Sequence, residues 1–227
     1  MSTERVRLVV KNGIAHVTLN RPEKRNALDM EMFRAIDKTS RQLRKDRNVR
    51  AVIVQGAGED FCSGLDVKSM MQSKTAAVSL MSKWLPGNSN AAQRVSTHWR
   101  RIPAPVIMAI HGRCWGGGLQ IALGADFRIA SPDARLSIME GKWGLIPDMG
   151  GNLALREIVA KDVALKLTMT AEILSAQQAM EYGLITTISN EPLRAAKELA
   201  AQISDRSPDA VAAVKRLFHE NWFRSER

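Results

Sequence analysis

Residues His111–Gly151 read HGRCWGGGLQIALGADFRIASPDARLSIMEGKWGLIPDMGG, and the fold turns on them. An apolar strand leads in, Gly116, Gly117 and Gly118 make a turn, and Leu119, Ile121, Ala122 and Leu123 continue as a buried helix. A second strand and a loop with two carboxylates follow. Lacking Cβ atoms, the glycines let a ligand approach the backbone, and the first amides of the helix point forward unpaired. Such a helix start stabilises negative charge, either a fixed anion or an oxygen that becomes anionic in a transition state. Glycine runs also serve as plain strand-to-helix turns. The stretch Asp60-Phe61-Cys62-Ser63-Gly64-Leu65-Asp66-Val67-Lys68 tips the balance, because it repeats the plan of strand, small-residue loop and helix start. Two loops then offer two amides.

The 227 residues, 45% of them hydrophobic, suffice to bury the core of one large domain. The opening MSTERVRLVV lacks an apolar signal core, Glu4 argues against a transit peptide, and no apolar run reaches membrane-spanning length. These features predict a soluble, cytoplasmic protein with no membrane partner. Cys62 and Cys114 lie in separate glycine-containing loops without metal-ligand spacing, so both are expected as reduced thiols and no metal site is expected. Net charge is +10, from 33 Lys and Arg against 23 Asp and Glu, which suits an acidic partner such as a nucleotide, a phosphorylated cofactor or RNA. The densest run, Arg41 to Arg50, ends a predicted helix, where cations offset the macrodipole and are commonly just solvated. Charge therefore does not choose the ligand.

Val6–Val10 and Ile14–Leu19 flank Asn12-Gly13, the local signal of a β-hairpin. A polar loop from Asn20 to Leu28 follows, and Asp29 caps a helix whose Met30, Phe33, Ile36 and Leu43 share one face. Ala51–Val54 is a strand into the Phe61–Lys68 loop. Ser69 to Arg101, broken by Pro86-Gly87-Asn88, is expected to form a lid, its last helix starting near Asn90 and ending at Pro103 and Pro105. Val106–Ile110 is the strand that feeds the triple glycine, and Phe127–Ala130 and Leu136–Ile138 are further strands. Helical patterns then dominate over 152–159, 162–169, 175–182, 193–203 and 208–222, with Leu184–Ile188 as a strand among them. The unit of strand, glycine loop and helix recurs three times at uneven spacing, like stacked ββα turns.

Read together, Leu19-Asn20-Arg21-Pro22 with Asn26-Ala27-Leu28, Phe61-Cys62-Ser63-Gly64-Leu65-Asp66, Gly116-Gly117-Gly118, Ala125-Asp126 with Arg128-Ile129-Ala130, and Gly144-Leu145-Ile146-Pro147 resemble the crotonase superfamily of enoyl-CoA hydratases and isomerases. The resemblance covers nearly the whole chain. It implies an α/β fold, a crotonase-like spiral of ββα turns over residues 1–190 holding the CoA and acyl site. A helical C-terminal trimerisation region follows over 191–227, shorter than the family's usual one. It also implies an acyl-CoA substrate, no cofactor beyond the coenzyme A moiety, and a homotrimer or hexamer. An oxyanion hole falls on the backbone N–H groups of Leu65 and Gly117. Carbonyls around Ser63, Leu65 and Val67, with Gly64 and Asp66 in the same loop, are expected to meet the adenine, and Lys24 and Arg25 to lie where the CoA phosphates pass.

Hydratases of the family use two glutamates to activate water, and here the matching positions are Gln120 and Glu140. A carboxamide hydrogen-bonds water but exchanges no proton near neutral pH. Eight residues after Glu140, where hydratases usually carry glycine, stands Asp148, a position where double-bond isomerases of the family place a catalytic acid. Two carboxyl groups in one apolar pocket divide their roles, one ionised and one protonated. The resemblance thus implies an enoyl- or dienoyl-CoA isomerase working through Glu140 and Asp148, with Gln120 orienting. A hydratase tolerating Gln120 is the alternative, and a catalytically silent CoA- or RNA-binding protein, with nucleic acid the less favoured partner, is more remote. For Glu140 a surface charge and for Asp148 a turn residue are the plain readings. His111 is expected as a hydrogen-bonded strand-end residue, Asp66 as a loop-orienting group or a helix cap, and Trp84, Trp99, Trp115 and Trp143 as core or tunnel lining.

Overall fold

The Asn12-Gly13 turn sets the first register. With φ of 52° and 76° both residues adopt the left-handed conformation that a tight hairpin demands. It joins β1 (Val6–Lys11) to β2 (Ile14–Leu19) in an antiparallel pair that closes on Lys11 opposite Ile14. A computed structural model describes residues 4–71, 80, 82 and 89–222. From β2 onward every neighbour in the main sheet is parallel: β3 (Ala51–Gly56), β4 (Val106–Ile110), β6 (Phe127–Ala130) and β9 (Thr187–Ile188), in the order β1-β2-β3-β4-β6-β9. Parallel strands require crossovers, and helices supply them. These are α1 (Met30–Lys45), then α2 (Val67–Met71) and α3 (Ala91–Arg100), then α4 (Gly117–Leu123). Asp29 caps α1 by accepting from Met32 N–H, and Asn90 and Gln93 form a reciprocal capping box on α3.

The central strands are unbroken apolar runs because both faces are covered. Val52, Val54, Met108 and Ile110 face the main core with α1, α3 and α4, whereas Ala51, Ile53, Ile107 and Ala109 face α8 (Pro192–Ser204). Ala196 and Ala200, both fully buried, let α8 lie close to the sheet. Residue 190 lies in the loop before this helix, and α8 itself packs on the outer face of the sheet.

A second, three-stranded sheet, β5-β7-β8, is built from Arg113–Trp115, Arg135–Ser137 and Leu174–Ser175. The chain reaches it at Gly112, where φ is 54° and a Cβ would run into the Glu59 carbonyl. Here the strand assignment needs correcting: β5, not β4, feeds the glycine run. Each turn of the spiral therefore places one strand in the large sheet, a short strand or bridge in the small one, and then a helix. Cys62 bridges Cys114, and Leu28 bridges Leu65, in the same way.

The remaining helices are α5 (Gly151–Ile158), α6 (Lys161–Thr170), α7 (Ala176–Glu181) and α9 (Pro208–Asn221). The strand expected over 184–188 shrinks to Thr187–Ile188, because Leu184 and Thr186 turn aside to bind Arg128 through the Leu184 carbonyl and the Thr186 hydroxyl. Most of the expected lid lies outside the described residues. Trp99 is fully buried, but Trp143 is 63% exposed and so lies outside the core.

Asn26 ties the first turn of the spiral to the second. Fully buried, it accepts from Arg21 N–H at 2.8 Å and donates to the carbonyls of Ala57 and Asp60 at 2.9 and 2.8 Å. Its φ of 54° suits asparagine better than alanine. Asn26→Ala leaves three backbone groups unpaired, and at about 1–3 kcal/mol for a buried group left unsatisfied the fold should lose at least about 2 kcal/mol in urea unfolding. A loss under about 0.5 kcal/mol would show that these groups find other partners.

Candidate active site

Gly64 brings the two glycine loops together. With φ of 92° it turns the Cys62–Asp66 loop so closely that a Cβ would sit 2.8 Å from the Trp115 carbonyl and 3.4 Å from the Gly117 nitrogen. Leu65, half-buried, is pinned from behind: Leu28 N–H donates to the Gly64 carbonyl and Asp66 N–H to the Leu28 carbonyl. The N–H groups of Leu65 and of Gly117, the first residue of α4, have no acceptor among the described residues. Two preorganised donors thus stand beside each other, a fit for an oxygen gaining negative charge. Leu28 and Met149 wall the space, with Leu28 Cδ1 at 2.9 Å and Met149 Sδ at 3.0 Å from a Cβ built on Gly117.

Arg21 and Asp66 hold this geometry. Arg21 Nη1 donates to the Ala27 carbonyl at 3.1 Å and to Asp66 Oδ2 at 2.8 Å, while Asp66 Oδ1 accepts from Ser69 N–H at the start of α2. Although burial opposes it, these contacts, with Lys24 nearby, hold the Asp66 carboxyl below its usual range. Asp66 therefore both caps a helix and orients the loop. Lys24 and Arg25 are exposed on the adjoining turn, Arg25 lying 3.9 Å from buried Asp60. Ser63 N–H donates to the Arg25 carbonyl, and the Leu65 carbonyl accepts from Val67 N–H, leaving it one further lone pair. His111 bonds the Gly58 carbonyl through Nε2, as a strand-end residue does.

Cys62 and Cys114 sit directly behind the two loops, both fully buried and free. Burial pushes the Cys62 thiol up to about 12 and the Cys114 thiol well above its ordinary value. Their proximity across the bridge could not be read from their separate loops.

Glu140 stands beside the glycine run on a 3-10 turn, Met139–Trp143. Its Oε1 lies 3.5 Å from where a Cβ on Gly116 would be and accepts from Gln120 Nε2 at 2.5 Å. Gln120 Oε1 in turn accepts from Gly151 N–H at 3.1 Å, which fixes the orientation of the amide. The other carboxylate oxygen, Oε2, is buried without a partner among the described residues. Burial raises the carboxyl above its ordinary pKa, the Gln120 hydrogen bond opposes this, and the charge of Asp148 raises it further. Asp148, half-buried, lies on the loop between that turn and α5. A desolvated carboxylate with one free oxygen is equipped to take a proton. Met149 escaped the sequence reading because a methionine beside a turn reads as core. Among the described residues no group of three or more metal-ligating side chains occurs, and no helix is long and apolar enough to cross a membrane.

The profile of the enoyl-CoA hydratase/isomerase family matches residues 9–226. The chain belongs to this family. Its crotonase fold is shared with the enoyl-CoA hydratase of Mycobacterium tuberculosis H37Rv, at a TM-score of 0.86 and 29% identity over 99% of this chain and 85% of the other. Among curated relatives it is 35% identical to the mitochondrial Delta(3,5)-Delta(2,4)-dienoyl-CoA isomerase of Mus musculus, over 89% of this chain and 64% of that protein. It is equally 35% identical to the (E)-benzylidenesuccinyl-CoA hydratase of Thauera aromatica, over 92% and 80%. The chain thus spans 64% of the length of the mouse relative. Members of the family act on CoA thioesters, and these relatives divide between isomerisation and hydration.

The raised Glu140 pKa has a measurable sign. Between the pKa of the unfolded chain and the higher folded value the native state binds more proton, so stability falls as pH rises through that window. Glu140→Gln keeps an acceptor for Gln120 and removes the titration. In denaturant unfolding the stability of Glu140→Gln relative to the unmutated protein should increase from pH 4 to pH 7. The opposite trend would mean that the carboxylate is better solvated in the fold than in water.

Proposed function

We propose that this crotonase is an acyl-CoA double-bond isomerase, acting on enoyl- or dienoyl-CoA. The observation that carries the reading is Gln120. Its amide is engaged with Glu140 on one side and Gly151 on the other, so the family's second water-activating carboxylate is replaced by a group that only positions the first. Asp148, whose charge reaches Glu140, is the second carboxyl.

In this reading the thioester oxygen rests on the N–H groups of Leu65 and Gly117. Glu140 and Asp148 share one proton. The ionised carboxyl takes a proton from carbon, the electron pair moves through the conjugated system to the thioester oxygen, and the protonated carboxyl returns a proton to another carbon. Each oxyanion donor is worth about 2.7–4 kcal/mol of transition-state stabilisation. Lys24 and Arg25 meet the CoA phosphates, and the loop Ser63, Gly64, Leu65, Asp66 and Val67 meets the adenine. No cofactor beyond the substrate's CoA takes part. The protein works in the cytoplasm as a homotrimer or hexamer, with a second copy covering the apolar surface of Trp143, Ile146 and Met169, which are 63%, 73% and 75% exposed.

Glu140→Gln and Asp148→Asn should each lower isomerisation at least about 100-fold, the low end of general acid–base contributions, while CoA affinity stays within about two-fold. Products formed in deuterated solvent identify the reaction. Efficient hydration of crotonyl-CoA by the unmutated protein, with Asp148→Gly leaving that rate unchanged or higher, would replace this reading with a hydratase. Light scattering at micromolar concentration should give a trimer or a multiple of one, and a monomer would contradict the assembly.

A further inference from the structure

A second cavity, of about 650 Å³, opens at the far ends of α4 and α5. Its nearest walls, Leu123 and Ala154, stand three residues along α4 and α5 from Gln120 and Gly151, roughly 4.5 Å at 1.5 Å per residue. Leu123, Ala154, Ile158, Val211, Val214 and Phe218 make its walls largely apolar. The last three come from α9, a helix with no fully buried residue.

A chain of polar contacts anchors that helix instead. Lys215 Nζ donates to the carbonyls of Trp99 and Ala104 at 3.1 Å each and pairs with Asp126 Oδ2 at 2.7 Å. Asp126 also accepts from Val106 N–H and meets His219 Nε2 at 3.1 Å. Arg100 Nη2 binds both oxygens of Glu157, at 2.6 and 2.7 Å, and lies 3.0 Å from His219 Nδ1. A guanidinium only donates, so Nδ1 faces Arg100 as an acceptor and Nε2 faces Asp126 as a donor.

One group on this wall is left over. Arg128 is 6% exposed, and its Nε and Nη1 bind the carbonyls of Leu184 and Ala125 at 2.8 and 2.7 Å. Its Nη2 has no acceptor among the described residues. Arg100, Arg128, Arg206 and Lys215 line the cavity with only Asp126 and Glu157 as carboxylates, so positive charge is in excess there. Burial, with Arg100 adding to it, lowers the Arg128 pKa to about 10 despite Asp126, which agrees with a cation short of counter-charge.

We propose that this cavity binds a free aliphatic carboxylate of medium chain length, its head group on Arg128 and its chain along α9. A carboxylate suits a guanidinium donor and supplies counter-charge where positive charge is in excess. The volume lies within the usual range for small-molecule sites, about 300–1,000 Å³, and the apolar walls suit a methylene chain. A neutral lipid would leave the charge unbalanced, and a cationic one would add to it.

Isothermal titration with decanoate, decan-1-ol, decyltrimethylammonium and acetate, below micellar concentrations, tests this directly. Decanoate should bind saturably at one per chain, with the alcohol and the cation at least ten-fold weaker and acetate giving no saturable heat. Val214→Trp, on an exposed position of the wall, should weaken decanoate at least ten-fold without shifting the thermal midpoint. Arg128→Met should do so too where circular dichroism shows it folded. Equal affinity for decanoate and decanol, or unchanged binding in Val214→Trp, would overturn the proposal. The second result would place the fatty acid elsewhere, including in the thioester site. Because the assay reads binding and not turnover, its outcome is independent of which reaction the enzyme catalyses.

Discussion

The hydrogen bond from Gln120 to Glu140 is the contact on which the candidate site depends. It anchors a carboxyl whose charged form burial disfavours, and it joins three consecutive pieces of the spiral. Gln120 lies on α4, Glu140 on the 3-10 turn after β7, and the far side of the amide receives the first N–H of α5. Each polar atom of the amide is thereby assigned a role. A carboxylate at position 120 would face Gly151 N–H comfortably but would set like charges against each other on its other side, unless one were protonated.

The spiral explains how residues so far apart in the chain converge. Each turn delivers one glycine loop to the same edge, where the Cys62–Asp66 loop, the glycine run and the Glu140 turn meet. Asn26 and Arg21 bind the turns to one another with hydrogen bonds that no local element requires. These side chains touch nothing that reacts, yet they hold the loop that carries Leu65.

Much of this was legible in the sequence for local reasons. The Asn12-Gly13 hairpin, the Asp29 cap and the apolar runs of β3 and β4 announce themselves through backbone preference and periodicity, and the paired glycine loops announce a site. What stayed hidden was non-local. The change of sheet at Gly112 depends on how closely Glu59 approaches, and Glu140 reads as a surface charge until the fold buries it. Trp143 misleads in the other direction, since a tryptophan three residues from Glu140 reads as core or lining but is largely exposed. Met149 is invisible because its contact with Gly117 is made across the fold, between the glycine run and the loop before α5.

The two thiols behind the paired glycine loops give the molecule a built-in clock. Burial both pushes the Cys62 thiol up to about 12 and closes it to a reagent. Alkylation therefore waits for the backbone bridge between Cys62 and Cys114 to open, and its rate in the absence of denaturant counts how often the two amide-bearing loops part. A ligand that seats an oxygen between Leu65 and Gly117 binds only the closed form, and so would slow that clock in proportion to its occupancy.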